Sequence, residues 1–516
     1  MNYTNILKSV TQRLPLPNQV RNSARGYAYA VDSWTLLDRF LLLGSEDGTY
    51  YVSPQKLTVE HADNLINLIK TDGEAVVSKI VQVSVGGKAP KNDPAIFALA
   101  LAASYGDEST RSAALDALPR VCRTGTHLFQ FAEAVSSMRG WGRGLRKAVG
   151  RWYNSQPVEA LELAAVKYVQ RNGWSHRDLL RLAHPKPVDE GHRSLYKWIV
   201  DGEIEGNLPL VSASSALVGL SAKEAATLIR ENRIPREAVP TSLLAEAEVW
   251  EALLEAMPIT ALIRNLGTLT KVGALHGSNL RKVTKQLTDA ERLRLGRVHP
   301  LAILNALATY ASGGGVRSGA QWEPITAVVD ALNQAFYAAF VAARATGKRL
   351  LIGLDVSGSM VGTRVAGMAA LDCRRACGAM ALVAAAVEDA PTFVAFDTES
   401  YPLTLSRNRR LDDVVDLLAR TGGGGTDCAL PIKYAIKNKI EVDAFVIYTD
   451  SETWAGSEHP VAALQRYRNT MRIPAKMVVV AMAANRFSIG DQRDPNMLNV
   501  VGLDPTVPAV IEQFLA

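Results

Sequence analysis

The feature that most restricts how this 516-residue chain can fold is a change of pattern near Gly347. Before it, apolar residues recur at helical spacing in one short segment after another: DPAIFALALAASYG, THLFQFAEAVSSM, GRGLRKAVGRWYN, SLLAEAEVWEALLEAM and HPLAILNALATYA. Thr58 is a plausible cap for a helix that ends at Gly73, and Ser221 with Glu224 has the spacing of a capping box. Many short amphipathic helices joined by Gly, Pro and Asn turns predict a solenoid of helical pairs. After Gly347, the short apolar runs KRLLIGLDV, PTFVAFD, DAFVIYTD and KMVVVAM alternate with helical stretches, among them RVAGMAALDCRRACGAMALVAAAV, LDDVVDLLAR, CALPIKYAIKN and HPVAALQRYRN. Strands that alternate with helices predict a parallel sheet covered on both faces. Two domains are therefore expected, a helical one over 1–347 and an α/β one over 348–516.

At 48% hydrophobic and 21% charged residues, the chain can bury large cores and is not of disordered composition. No uncharged apolar run is long enough to span a bilayer, and the N-terminus lacks the basic-then-apolar layout of a signal peptide. Cys122, Cys373, Cys377 and Cys428 show no CxxC spacing. A reducing, cytoplasmic setting is the expectation. The net charge of +6 is unevenly placed: from Leu351 onward 16 Lys and Arg face 19 Asp and Glu, whereas before it 41 face 32. A polyanionic partner is expected on the first two-thirds of the chain.

Ligands of open parallel sheets bind at the carboxyl ends of strands, which directs attention to Asp355, Asp397 and Asp450. The loop Asp355-Val356-Ser357-Gly358-Ser359 can aim one carboxylate and two hydroxyls at a common point. The loop TGGGGTD supplies Thr426 and Asp427, and YTDSE supplies Asp450. All donors are oxygens, the preference of a hard divalent cation such as Mg²⁺. Each piece alone is weak, but together and in this order they resemble the metal-ion-dependent adhesion site of von Willebrand A domains. That resemblance implies Asp355, Ser357, Ser359, Thr426 and Asp450 as direct or water-mediated ligands, with Asp427 assisting through hydrogen bonds. Neither serine has a visible paired base, so binding rather than catalysis is expected and no enzyme is predicted.

From Arg139 to Lys186 there are ten Lys and Arg against three acids, Glu159, Glu162 and Asp178, with Trp141, Trp152, Tyr153, Tyr168 and Trp174 interleaved. If EALELAAVKYVQR is one helix, Lys167 and Arg171 lie about 40° apart on its edge and can straddle phosphates. Arg143, Arg146 and Lys147 are further candidates from composition. A solvated basic face with the tryptophans as packing residues is the competing reading, and His176 and His184 taken singly read as structural.

The stretches KYVQRNGWSHRDLLRLAHPKP, GSEDGTYYVSPQKL, GWGRGLRKAVGRWYN, MPITALIRNLG, RVHPLAILNALATYASGGGVR, GGTDCALP and YTDSETWAG resemble the Ro (TROVE) family, in order and over essentially the whole chain. The resemblance implies a monomeric ring of HEAT-like helical repeats joined to a Rossmann-like von Willebrand A domain. It implies that Y RNA binds on the outer surface and single-stranded ends of misfolded noncoding RNA enter the central hole. It further implies a role in RNA quality control, maturation or decay, with polynucleotide phosphorylase as a partner in bacterial relatives. Lys167, Arg171 and His184 fall where the family's Y-RNA contacts lie. A protein-interaction adaptor acting through the metal site is the alternative from a different class.

Overall fold

The computed structural model describes residues 19–21, 27–29, 33–44, 49–51, 57, 62–86, 89, 91–315, 319–450, 455–483, 489–491 and 494–516. They fall into two compact units, one of residues 57–283 with 321–323, the other of 1–56, 284–320 and 324–516. The change of sequence pattern at Gly347 and the compact units thus mark different divisions. Among the described residues no helix is long and apolar enough to cross a membrane.

Among the described residues the first unit is built from helices and their connecting turns, most helices packing on the next or the next but one. Asp63–Val85 packs on Asp93–Tyr105 and Glu108–Val121, Asp93–Tyr105 on Gly125–Met138, Glu108–Val121 on Arg143–Asn154, and that helix on His176–Ala183. This is the stacking of helical pairs expected of a solenoid. Asp93–Tyr105 is buried on every side from Pro94 to Ala103, as its unbroken apolar run requires. The predicted capping box at Ser221 and Glu224 is present, as is one at Ser175 and Asp178. The expected Thr58 cap and parts of GSEDGTYYVSPQKL lie outside the described residues. The helix expected to end at Gly73 instead kinks at Asp72 (φ −148°, ψ 54°) and resumes to Val85. At the centre of this unit the buried His176 ring meets Tyr153, whose hydroxyl lies 2.8 Å from Nδ1.

The second unit carries a seven-stranded sheet. Numbering strands along the chain, β1 is Gln19–Arg21, β2 Tyr27–Tyr29, β3 Thr49–Tyr51, β4 Leu350–Asp355, β5 Arg364–Val365 and β6 Met368–Asp372. β7 is Thr392–Phe396, β8 Ser400–Leu403, β9 Ala444–Thr449, β10 Lys476–Ala481 and β11 Met497–Val501. The sheet order is β3-β11-β10-β9-β4-β7-β8, all neighbours parallel except β7 with β8. The helices Leu430–Lys437 and Pro460–Met471 share one core with Leu351, Phe396, Phe445 and Met477, while Cys373–Val387 packs on β4 and β9. The chain leaves β4 for β7 on one side and returns to β9 on the other, so a topological switch point lies at the ends of β4 and β9.

Two elements differ from expectation. The first half of RVAGMAALDCRRACGAMALVAAAV is the hairpin β5–β6, which turns at Gly367 (φ 99°), and the helix starts only at Cys373, where Asp372 accepts from the Arg375 N–H. Residues 33–44 and 49–51 also join this unit. The helix Ser33–Leu43 sends the buried Arg39 to the Asp494 carbonyl at 2.5 Å, β3 pairs with β11, and the Tyr50 hydroxyl bonds Thr506 Oγ1 at 2.8 Å.

Candidate functional site

The α/β unit brings its oxygen donors together at the switch point. Asp355, the last residue of β4, is fully buried and accepts the Ser357 N–H on Oδ1 (2.8 Å) and the Thr449 hydroxyl on Oδ2 (2.7 Å). The Ser357 and Ser359 hydroxyls are 3.1 Å apart. Asp450 follows Thr449 directly and is buried. Burial pushes the Asp355 carboxyl up to about 6; hydrogen bonds from Ser357 and Thr449 oppose that rise, and the charge of Asp450 adds to it.

Thr426 is buried in the glycine-rich loop, which reaches the first loop where the Gly358 N–H donates to the Gly424 carbonyl (3.3 Å). Asp397 organises that loop, because its Oδ2 accepts the N–H groups of Gly423 and Gly424, each at 2.9 Å. Burial works to raise the Asp397 pKa, but the surrounding backbone N–H donors outweigh it and hold the group below the usual carboxylate range. Gly422 (φ 82°) must be glycine here, since a Cβ would sit 2.7 Å from Asp397 Oδ2. Asp427 has both oxygens occupied, by the Ala429 N–H and by Lys433 Nζ, each at 3.0 Å. Among the described residues no three His, Cys, Asp or Glu side chains form a metal cluster. The set is two carboxylates and three hydroxyls, which fits a hard cation that keeps positions for outside ligands.

The helical unit holds the basic candidates. Arg143, Arg146 and Lys147 are exposed on one stripe of the Arg143–Asn154 helix. That stripe continues to Gly150, where Pro185 packs, and to Asn154, whose Nδ2 donates to the Lys186 carbonyl (2.8 Å). His184, exposed in a left-handed conformation (φ 45°), therefore lies at the end of the same stripe.

The common helix edge expected for Lys167 and Arg171 is not present. The Val158–Lys167 helix stops at Lys167, whose ammonium sits over the Tyr168 ring at 5.4 Å. Arg171 instead pairs with Trp174 across a tight turn, with backbone bonds of 2.9 and 2.8 Å. The cause is Asn172-Gly173, both at positive φ (53° and 76°), the pattern of a type I′ turn that needs extended flanks. The turn is pinned by Asn172 Nδ2 to Glu133 (2.8 Å) and by Trp174 against Trp141. Trp141, Asn172 and Trp174 are thus the positioning residues that helical periodicity missed; the Asn-Gly pair was the available signal.

Some acids near this surface are engaged within the fold, while Glu159 is exposed on the Val158–Lys167 helix. Glu162 is buried and accepts the Val211 N–H (2.9 Å), and Asp178 caps its own helix through Ser175. Arg151 pairs with Asp116 at 2.7 Å. Among the described residues, Arg143, Arg146, Lys147, Lys167, Arg171, Arg177, Arg181 and Lys186 have no acidic partner.

Stacked helical pairs bearing uncompensated cations, with an α/β unit whose strand-end loops gather oxygen donors, define a two-part protein of helical-repeat and von Willebrand A type. The TROVE domain model matches residues 20–201 and 229–312, and the Ro60 vWA domain model matches 349–515. The chain belongs to the Ro60 (TROVE) family. It is 40% identical over 519 residues to the RNA-binding protein RO60 of Deinococcus radiodurans, covering 98% of this chain and 96% of that one. It is 35% identical over 580 residues to the RNA-binding protein RO60 of Caenorhabditis elegans, covering 96% and 90%. The crystal structure of the Deinococcus radiodurans RO (RSR) protein matches with a TM-score of 0.88 at 40% identity, over 94% of this chain and 99% of that one.

Proposed function

We propose that this chain binds RNA through the basic face of its helical unit, taking a Y RNA and the single-stranded ends of misfolded or immature noncoding RNA. In this role it serves RNA quality control, maturation or decay together with an exonuclease such as polynucleotide phosphorylase. The carrying observation is the set of eight cations that, among the described residues, have no acidic partner, on and around three helices and one turn. The relatives' name, RNA-binding protein, supports the same reading. Lys and Arg side chains release counterions from phosphates, so the affinity is expected to fall steeply with salt. Replacing both Lys167 and Arg171 with Ala is expected to weaken Y-RNA binding on the order of 10- to 100-fold at moderate salt. It should also shallow the log–log salt slope by about two. Gel-shift titrations with unaltered affinity and slope would remove these two residues from the interface.

The α/β site supports a second, compatible role. Asp355, Ser357, Ser359, Thr426 and Asp450 would hold a divalent cation, Mg²⁺ by donor type, and the ion would offer an open position to a partner's carboxylate. Added Mg²⁺ is expected to raise the melting temperature of the α/β unit, corresponding to about 2.7 kcal/mol at a hundredfold excess over Kd. Chelator should reverse the rise and Asp355→Asn abolish it; a rise that survives Asp355→Asn places the ion elsewhere.

A further inference from the structure

Trp152 and Trp250 are core residues, each 1% exposed, with indole N–H groups bonded to the carbonyls of Cys122 and Leu244. Trp141 and Trp174 are different. Both are half-buried, and their ring centroids lie 5.4 Å apart with planes tilted by 42°. The Trp141 N–H donates to Ser136 Oγ (2.7 Å), whereas that of Trp174 finds no protein acceptor among the described residues. Trp174 and Arg171 are directly opposed across the turn, and opposed residues of an antiparallel pair project to the same face. The two side chains therefore leave the turn on one face, with Arg171 Nη1 donating to the Gln170 carbonyl (3.0 Å). Arg143, also without an acidic partner, follows Trp141 by two residues. An aromatic pair that keeps surface open to solvent, set among cations and with the one carboxylate bonded at the turn, Glu133, engaged by Asn172, has the make-up of a site that holds a base and its phosphate together.

We propose that Trp174, braced by Trp141, is a stacking surface for an unpaired RNA base whose phosphate is held by Arg171, and that this contact selects single-stranded over duplex RNA. The inference rests on the RNA-binding reading and deepens it. Bases in a duplex are covered by their neighbours on both faces, whereas an unpaired base exposes a face to the indole. Arg171 alone would hold either kind of RNA.

The test uses the full chain and three probes: a single-stranded RNA of about 12 nucleotides, an abasic strand of equal length and charge, and an RNA duplex. The unaltered chain is expected to prefer the base-bearing strand over the abasic one by roughly tenfold. Trp174→Leu should erase that preference by lowering the affinity of the base-bearing strand much further than that of the abasic strand. Trp174→Phe, which keeps a ring against Trp141, should retain part of it. Equal loss on both strands in Trp174→Leu assigns the indole to scaffolding and overturns the proposal, as does no change on either. An unaltered chain that binds none of the three at about 50 mM salt overturns the RNA reading itself, and the proposal with it.

Discussion

Removing residues 33–51 is expected to abolish the cooperative melting transition of the α/β unit. This segment places Leu37, Phe40, Leu41, Leu43 and Tyr50 at 0, 1, 0, 7 and 2% exposure. Burial of each such side chain contributes roughly 1.5–3 kcal/mol, on the order of 10 kcal/mol together. That rivals the about 5–15 kcal/mol by which a whole domain is stable. The deletion also exposes the edge of β11 and strands the carbonyl of Asp494, which now accepts from the buried Arg39. Calorimetry and limited proteolysis of the shortened chain measure the effect. A transition for residues 348–516 at the full-length temperature would show the segment to be dispensable.

Acidification is the second large effect, and its direction follows from two imidazoles held away from water, the buried His176 and the half-buried His299. Burial lowers the pKa of His176 and of His299 from 6.5 to about 4. Between those limits the unfolded chain takes up protons that the native chain refuses. Stability is therefore complete above pH 6.5 and is lost as the pH falls towards 4, by about 3 kcal/mol for each histidine. The local geometry agrees. His299 Nδ1 accepts the Leu301 N–H (3.1 Å) at the head of the Pro300–Ala311 helix, a bond that a protonated ring cannot accept. His459 repeats the device before Pro460, accepting from Val461 at 3.3 Å, and burial lowers its pKa too. Denaturant midpoints measured from pH 7 to 4.5 should fall steadily in the unaltered chain, and His176→Gln should flatten the decline in the helical unit. An identical decline in that variant would show that His176 does not contribute.

Helices such as Asp93–Tyr105 and Gly125–Met138, and strands β4, β7, β9 and β10, were legible because each carries its own periodicity within a dozen residues. Asp355, Ser357, Ser359, Thr426 and Asp450 could be singled out because each stands at a strand-to-loop junction or in a glycine-rich loop. What escaped depends on distant partners or on single backbone angles. The three residues of β3 have no pattern of their own and become a strand only through β11. The Arg171–Trp174 turn lies inside a stretch whose apolar spacing favours a helix, and the positive φ of Asn172 and Gly173 overrides that spacing. The hairpin β5–β6 was hidden in the same way by alanine-rich sequence, with Gly367 the local sign of a break.

The pairing of β3 with β11 also orders events on the ribosome. Arg39 and its acceptor Asp494 are 455 residues apart, so at about 5–20 residues per second the early segment waits roughly 20 to 90 seconds for its mate. Until then its apolar side chains need another cover, which makes the nascent chain at this stage a natural client for a holding chaperone.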